Sequence, residues 1–250
     1  MFTTHSQFYK HKETEQKPNE AVDVSDWAIG SSFSPYPDGT RAKFEVFCPN
    51  VSPYQFIIPN HRYLFKKTFE RKGGIIFYEQ FWIEIIAYKL GRILNIAVPP
   101  AFVAFYKEEY ASLIEWYYNY PKENGGFINR GGDFMSHEIK GYDRKKGKQH
   151  NFETITQIFM KSIGVDNWQA KWAEMLLFDA IIGNTDRHQE NWEVYSYFLE
   201  GGELIAELSP AFDNGTSMGY DIMVNKIESK LANLCAYINK RYTSHEMVAG

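Results

Sequence analysis

Between Trp27 and about residue 118 the chain alternates short apolar runs with Pro, Gly and Asn, which is the pattern of strands separated by turns. Residues 43–47, 54–58 and 63–67 read as strands, the first two bounded by Pro49 with Asn50 and by Pro59 with Asn60. Gly73 and Gly74 interrupt the chain before a predicted helix over residues 78–94. In it Phe81, Ile85, Tyr88, Leu90 and Ile93 recur at helical spacing, with Glu79, Lys89 and Arg92 as polar positions. Pro99 and Pro100 end that helix, because proline cannot continue one and forces the residue before it into extended backbone. A hairpin over 101–106 and 111–118 follows, turning at Lys107 to Glu109. Beyond it the pattern becomes mainly helical, after a loop-rich crossing marked by Gly125, Gly126, Gly131 and Gly132.

Helices are predicted over 152–163 and 166–182, the second with Asp166 as N-cap and a buried stripe of Trp168, Trp172, Met175, Leu176 and Ala180. Gly183 ends it. Two strands over 193–199 and 203–208, joined by a Gly201–Gly202 turn, lead to a loop over 212–219. Residues 1–24 are polar and read as a flexible leader, so the expected organisation is leader 1–24, strand-rich lobe 25–118 and helical lobe 119–250. The fold class expected is α+β, in two lobes.

Composition narrows the functional classes. The 250 residues are 44% hydrophobic and 17% aromatic, too rich for a disordered chain. The net charge of −4 gives no whole-chain footprint for nucleic acid, so direct nucleic-acid binding is not expected. Cys48 and Cys235 form neither a zinc spacing nor a disulfide framework, which fits a reducing compartment. No window approaches the roughly 18 uninterrupted apolar residues of a membrane helix, and the N-terminus lacks a signal-peptide pattern. These readings point to a cytoplasmic protein without a membrane partner.

The densest reactive cluster is G-N-T-D-R-H-Q-E-N, from Gly183 to Asn191, followed after one hairpin by F-D-N-G-T-S, from Phe212 to Ser217. Asp186, Asn191 and Asp213 offer hard oxygen ligands suited to Mg²⁺ or Mn²⁺. Upstream, Lys66 ends an apolar strand and Glu84 sits inside the amphipathic helix, the arrangement with which protein kinases hold ATP phosphates. Lys67 competes with Lys66, because strand alternation turns only one of them inward, and Glu79 competes with Glu84. The basic run 144–148 reads as a solvated loop, with a protein-substrate or phosphate patch as its rival.

Taken together, these motifs resemble the HipA-like kinases, relatives of protein and phosphoinositide kinases with a D-x-H-x-x-N catalytic loop. The resemblance runs from about Trp27 through Y-P-D-G-T-R-A-K, Y-L-F-K-K, Q-F-W-I-E-I-I-A-Y-K-L-G, V-P-P, L-I-E-W and D-R-K-K-G-K-Q-H-N to the two catalytic motifs. It implies a two-lobed protein-kinase-like fold binding ATP and Mg²⁺ between lobes and transferring phosphate to a protein Ser or Thr hydroxyl, including its own. Asp186 is then the catalytic aspartate, and Asn191 and Asp213 hold the metal. Lys66 contacts the phosphates, fixed by Glu84. Residues Ile114, Glu115 and Trp116 form the hinge that meets adenine, and Gly39 to Lys43 the phosphate-side loop. His188 and Asp179 support the loop. The sequence ends 37 residues after Asp213, where HipA-like kinases continue with further helices, so a minimal or truncated helical lobe is expected. The family resemblance also implies an antitoxin-type partner or an effector setting. Rival readings are a non-catalytic nucleotide-binding module, a small-molecule or lipid kinase, since D-R-H-x-x-N also occurs in phosphoinositide kinases, and a metal phosphohydrolase.

Overall fold

The computed structural model describes residues 15–30, 43–71, 75–121, 125–162, 164–219, 226–233 and 235–236. The chain divides into two units, Met1–Gly125 and Gly126–Gly250. Together they form a mixed α+β architecture, with an N-terminal sheet and C-terminal helices.

The first unit is built on a six-stranded sheet. Its strands are β1 (Val22–Asp23), β2 (Ala28–Ile29), β3 (Lys43–Phe47), β4 (Arg62–Lys66), β7 (Ala101–Tyr106) and β8 (Glu109–Glu115), in the order β1-β7-β8-β4-β3-β2. Between β4 and β7 come a short hairpin, β5 (Phe69–Arg71) and β6 (Ile75–Phe77), a 3-10 turn (Tyr78–Phe81) and helix α1 (Trp82–Leu94). Strand β1 pairs parallel to β7 and the other neighbours are antiparallel. Val46, Tyr63, Phe65, Leu113, Ala111, Ala104 and Phe102 are buried at its core. Helix α1 ends at Leu94, the expected bound, but ahead of the prolines expected to stop it: Asn95 takes the left-handed conformation and the Ile96 amide returns to the Gly91 carbonyl.

Three expectations change here. Residues 54–58 are a turn, not a strand: Pro53 cannot donate to a ladder, and Ser52 Oγ accepts from the Tyr54 amide instead. The apolar run plugs the core, with the Phe56 ring 4.9 Å from that of Phe102. Residues 15–24, expected in a leader, are docked. The Gln16 side chain hydrogen-bonds both the amide and the carbonyl of Val103 at 2.8 Å, and Val22 pairs with Ala104. Within α1 the buried face is Ile83, Glu84, Ile85, Ala87, Tyr88 and Gly91, while Ile93 is exposed.

The second unit opens with β9 (Phe127–Arg130) and α2 (Gly131–Glu138), where a loop was expected. Then come α3 (Phe152–Ser162), α4 (Trp168–Ile182), β10 (Glu193–Phe198), β11 (Leu204–Leu208) and α5 (Ile227–Ala232). The three strands form an antiparallel sheet in the order β11-β10-β9. Helix α4 starts after Asn167 rather than at Asp166. Its buried residues are Trp172, Met175, Phe178, Asp179 and Ile182, and Ala180 faces out. Aromatic packing holds this unit together. Trp192 is fully buried, with the rings of Phe159 and Trp172 each 5.5 Å from its own. Trp192 directly follows Asn191, so the core anchors the end of the reactive loop.

Candidate active site

In the first unit, burial decides between the two lysines. Lys66 is 4% exposed and its Nζ lies 2.5 Å from Glu84 Oε1, itself on a residue 4% exposed. Lys67 instead pairs with Glu109 at the surface. Strand alternation produces this split, sending the two neighbours to opposite faces. A buried lysine needs such a partner, because an isolated charge in the interior is costly. Lys43 stands directly opposite Lys66 in the β3–β4 register and so shares its face. Gly39 lies outside the described residues.

Residues 114–116 end β8. The Glu115 amide donates to the Pro100 carbonyl and the Trp116 amide to the Arg62 carbonyl, while a His61 ring nitrogen lies 2.6 Å from the Trp116 carbonyl. Ile114 is aligned with Leu64 on one side and Ala101 on the other. The Glu115 side chain is buried between Tyr120, which donates to it at 2.9 Å, and Tyr63. Desolvation pushes its carboxyl up to about 8, opposed by the hydroxyls of Tyr120 and Tyr63.

In the second unit the reactive loop and the 212–217 segment are tied by one side chain. Arg187 grips Asp179 with a two-pronged contact, Nε to Oδ2 at 2.9 Å and a terminal nitrogen to Oδ1 at 2.8 Å. Its other terminal nitrogen donates to the carbonyls of both Asn191 and Phe212, each at 2.6 Å, and a further bond reaches Asn214 Oδ1. Asp179 also accepts from the Asn184 side chain, whose Oδ1 in turn receives the Asp186 amide and the Thr216 hydroxyl. Sequence reasoning placed Asp179 beside the loop but gave Arg187 no task. The signal was a carboxylate inside an apolar helix, which demands a counter-charge nearby.

Asp186 is half-buried, with His188 Nε2 3.7 Å from its Oδ1. His188 Nδ1 accepts from the Glu190 amide, which shapes the turn between Asp186 and Asn191. Asn191 gives its amide nitrogen to the Asp186 carbonyl at 2.6 Å, which leaves Oδ1 as the acceptor facing away from it. Asp213 sits at φ 53°, a left-handed conformation that costs an ordinary residue roughly 1–2 kcal/mol. The Arg187 bonds to Phe212 and Asn214 on either side hold it there. An amide oxygen and a carboxylate on segments gathered by one guanidinium form a donor set that fits Mg²⁺, which takes one or two protein oxygens and fills its shell with water and phosphate.

No protein-family model matches the chain, and no curated protein matches it. Solved structures do. The chain is similar to the Helicobacter pylori proinflammatory kinase CtkA, at 16% identity and a TM-score of 0.62, over 88% of this chain and 68% of that one. A second match is to the HipA, HipB and operator DNA complex of the Shewanella oneidensis MR-1 toxin antitoxin system. It has 18% identity and a TM-score of 0.42, over 70% of this chain and 42% of that one. At these identities the likeness is one of fold: the chain shares the mixed α+β fold of a solved kinase.

Proposed function

We propose that the protein is a cytoplasmic kinase of the HipA-like type, transferring the γ-phosphoryl group of ATP to a Ser or Thr hydroxyl, its own included. The observation that carries this reading is the Arg187 clasp. One nitrogen binds the carbonyls of Asn191 and Phe212, drawing the amide and carboxylate segments of a Mg²⁺ site to one place. The buried Lys66–Glu84 pair opposite Lys43 supports it with a phosphate-facing set of charges.

In this mechanism Lys66, held by Glu84, and Lys43 bind the triphosphate, and Asn191 Oδ1 with the Asp213 carboxylate holds the metal. Bound Mg²⁺ supplies neutralisation of charge on the phosphate oxygens. Asp186 orients the acceptor hydroxyl. The hydroxyl oxygen bonds to the γ-phosphorus as the bridge to the β-phosphate breaks, ADP leaves, and the hydroxyl proton passes to Asp186. Its main task is to orient that hydroxyl. An antitoxin-type partner is a further implication of the resemblance to HipA-like kinases.

Incubating the full chain with γ-labelled ATP and Mg²⁺, with and without a Ser/Thr-containing protein acceptor, tests this directly. Label should reach protein, and Asp186→Ala and Asp213→Ala should each lower the rate at least about 100-fold, the scale of a lost general base or charge stabiliser. Variants retaining full activity, or phosphate released without any acceptor requirement, would overturn the assignment.

A further inference from the structure

The basic run 144–148 is the solvated loop its composition suggests, with its lysines exposed, but it is firmly anchored. Around it, Lys140, Arg144, Lys145, Lys146 and Lys148 face a single acid, Asp143, within nine positions of a chain whose net charge is −4. Asp143 folds the segment into a tight turn, its carboxylate accepting the amides of Lys145 and Lys146 and its carbonyl those of Lys146 and Gly147. The turn is then fastened to the reactive loop at three points. Arg144 grips Glu190 with two bonds of 2.5 and 2.6 Å and reaches Asp133 with a third. Gln189 donates to the Arg144 carbonyl at 2.7 Å. Gly147, at φ 60°, lies so close over Gln189 that a β-carbon there would stand 2.7 Å from its Oε1. Downstream, Trp192 donates to the buried ring of His150 at 2.9 Å.

This anchoring uses Arg144 and leaves Lys145, Lys146 and Lys148 exposed on a turn bonded to Gln189 and Glu190, three and four positions after Asp186. Lys146 lies 3.3 Å from Asp143 Oδ2 in an exposed pair, a contact worth little at the surface, while the turn's backbone bonds run through Asp143 and Arg144. The charge of the three lysines is directed outward. The one aromatic residue of 140–148, Tyr142, is half-buried, which disfavours base stacking and so single-stranded nucleic acid as the occupant. Carboxylates are the groups that match these lysines in sign, and the turn is bonded to the loop that carries Asp186.

We propose that Lys145, Lys146 and Lys148 form a docking surface for an acidic stretch of the acceptor polypeptide, held in register with Asp186 by the Arg144–Glu190 pair. The assignment of an acceptor rests on the phosphotransfer reading, but binding is measurable without it. The test uses the full chain and two fluorescent Ser-containing peptides, one flanked by Glu and Asp, the other by Gln and Asn. Binding is read by anisotropy without nucleotide, then transfer with ATP and Mg²⁺.

At low salt the acidic peptide should bind about tenfold more tightly than the neutral one, the sum expected of a few exposed charge pairs, and the preference should fade as salt rises. The triple variant Lys145→Ala, Lys146→Ala, Lys148→Ala should erase the preference, raising KM for the acidic peptide with kcat unchanged. Substituting all three by Glu should transfer the preference to a Lys-flanked peptide. Equal binding of both peptides, an unaltered preference in the triple variant, or tighter capture of single-stranded RNA or anionic vesicles would overturn the docking surface. Lysine-dependent binding without phosphate transfer would instead remove the phosphotransfer reading and leave the surface standing.

Discussion

At the scale of single residues, the decisive side chain is Arg187. It touches the α4 carboxylate, the loop after Asp186 and the segment around Asp213. The Arg187–Asp179 pair is buried, both side chains under a tenth exposed, so removing one partner leaves the other charge stranded. Arg187→Ala should therefore destabilise the fold by about 3–5 kcal/mol, read as a lowered urea midpoint. Arg187→Lys keeps the charge but loses the planar fork that serves Asp179 and two carbonyls at once. It should recover only part of the stability. Full recovery with Lys would show that charge alone matters there. The residue types of the site were legible from the sequence as an ordered set, because each motif carries its own chemistry. Which residue binds them together was not, since the three segments that Arg187 joins are separated along the chain and meet only in the folded unit.

Elements tell the same story through their ends. The expected loop at Arg130 to Gly132 is the junction of β9 and α2. Glycine pairs normally mark turns, and that rule misleads here. The two glycines open a helix because the reactive loop lies against them. The Gly131 amide donates to the Trp192 carbonyl and the Gly132 amide to the Gln189 carbonyl, so loop carbonyls satisfy first-turn amides beside the Asp133 carboxylate, which accepts the Arg130 amide. A β-carbon on Gly131 would run into the Trp192 ring. Gly131→Ala should cost about 1–3 kcal/mol through overpacking, whereas Gly201→Ala, with nothing within 4 Å of the added carbon, is its neutral control. Equal melting temperatures for the two variants would refute this account. Strands β3, β4, β7 and β8 and helices α1, α3 and α4 were all legible, because periodicity and proline stops are local signals. The 54–58 run and the docked residues 15–24 were not: an apolar run beside proline can fill a core without joining a ladder, and a polar segment can be held by side-chain hydrogen bonds such as those of Gln16.

For the molecule as a whole, two buried titratable groups, one in each unit, set opposite pH limits on stability. Glu115 in the first unit has its carboxyl raised from 4.5 to about 8 by desolvation. The folded form keeps a proton that the unfolded chain releases above pH 4.5, so this contribution is complete below 4.5. It is lost progressively up to pH 8, in all about 5 kcal/mol. His150 in the second unit accepts the Trp192 indole N–H on Nε2 and is fully buried. Desolvation, then the neighbouring His188, lowers it from 6.5 to about 4. Here the unfolded chain takes up the proton first, so stability is complete above pH 6.5 and is lost between 6.5 and 4, in all about 3 kcal/mol. The two slopes cancel between 4.5 and 6.5, where the chain should be most stable, and above 6.5 only the Glu115 loss remains. Urea unfolding from pH 4 to 8.5 should show this plateau and an alkaline decline. Glu115→Gln keeps a neutral amide between Tyr63 and Tyr120 and should flatten the decline above 6.5, while His150→Gln should flatten the acid side and leave the alkaline side intact. An alkaline decline that survives Glu115→Gln would mean that the carboxyl ionises in the folded chain near its ordinary value, and that Tyr63 and Tyr120 enclose a charge rather than an acid.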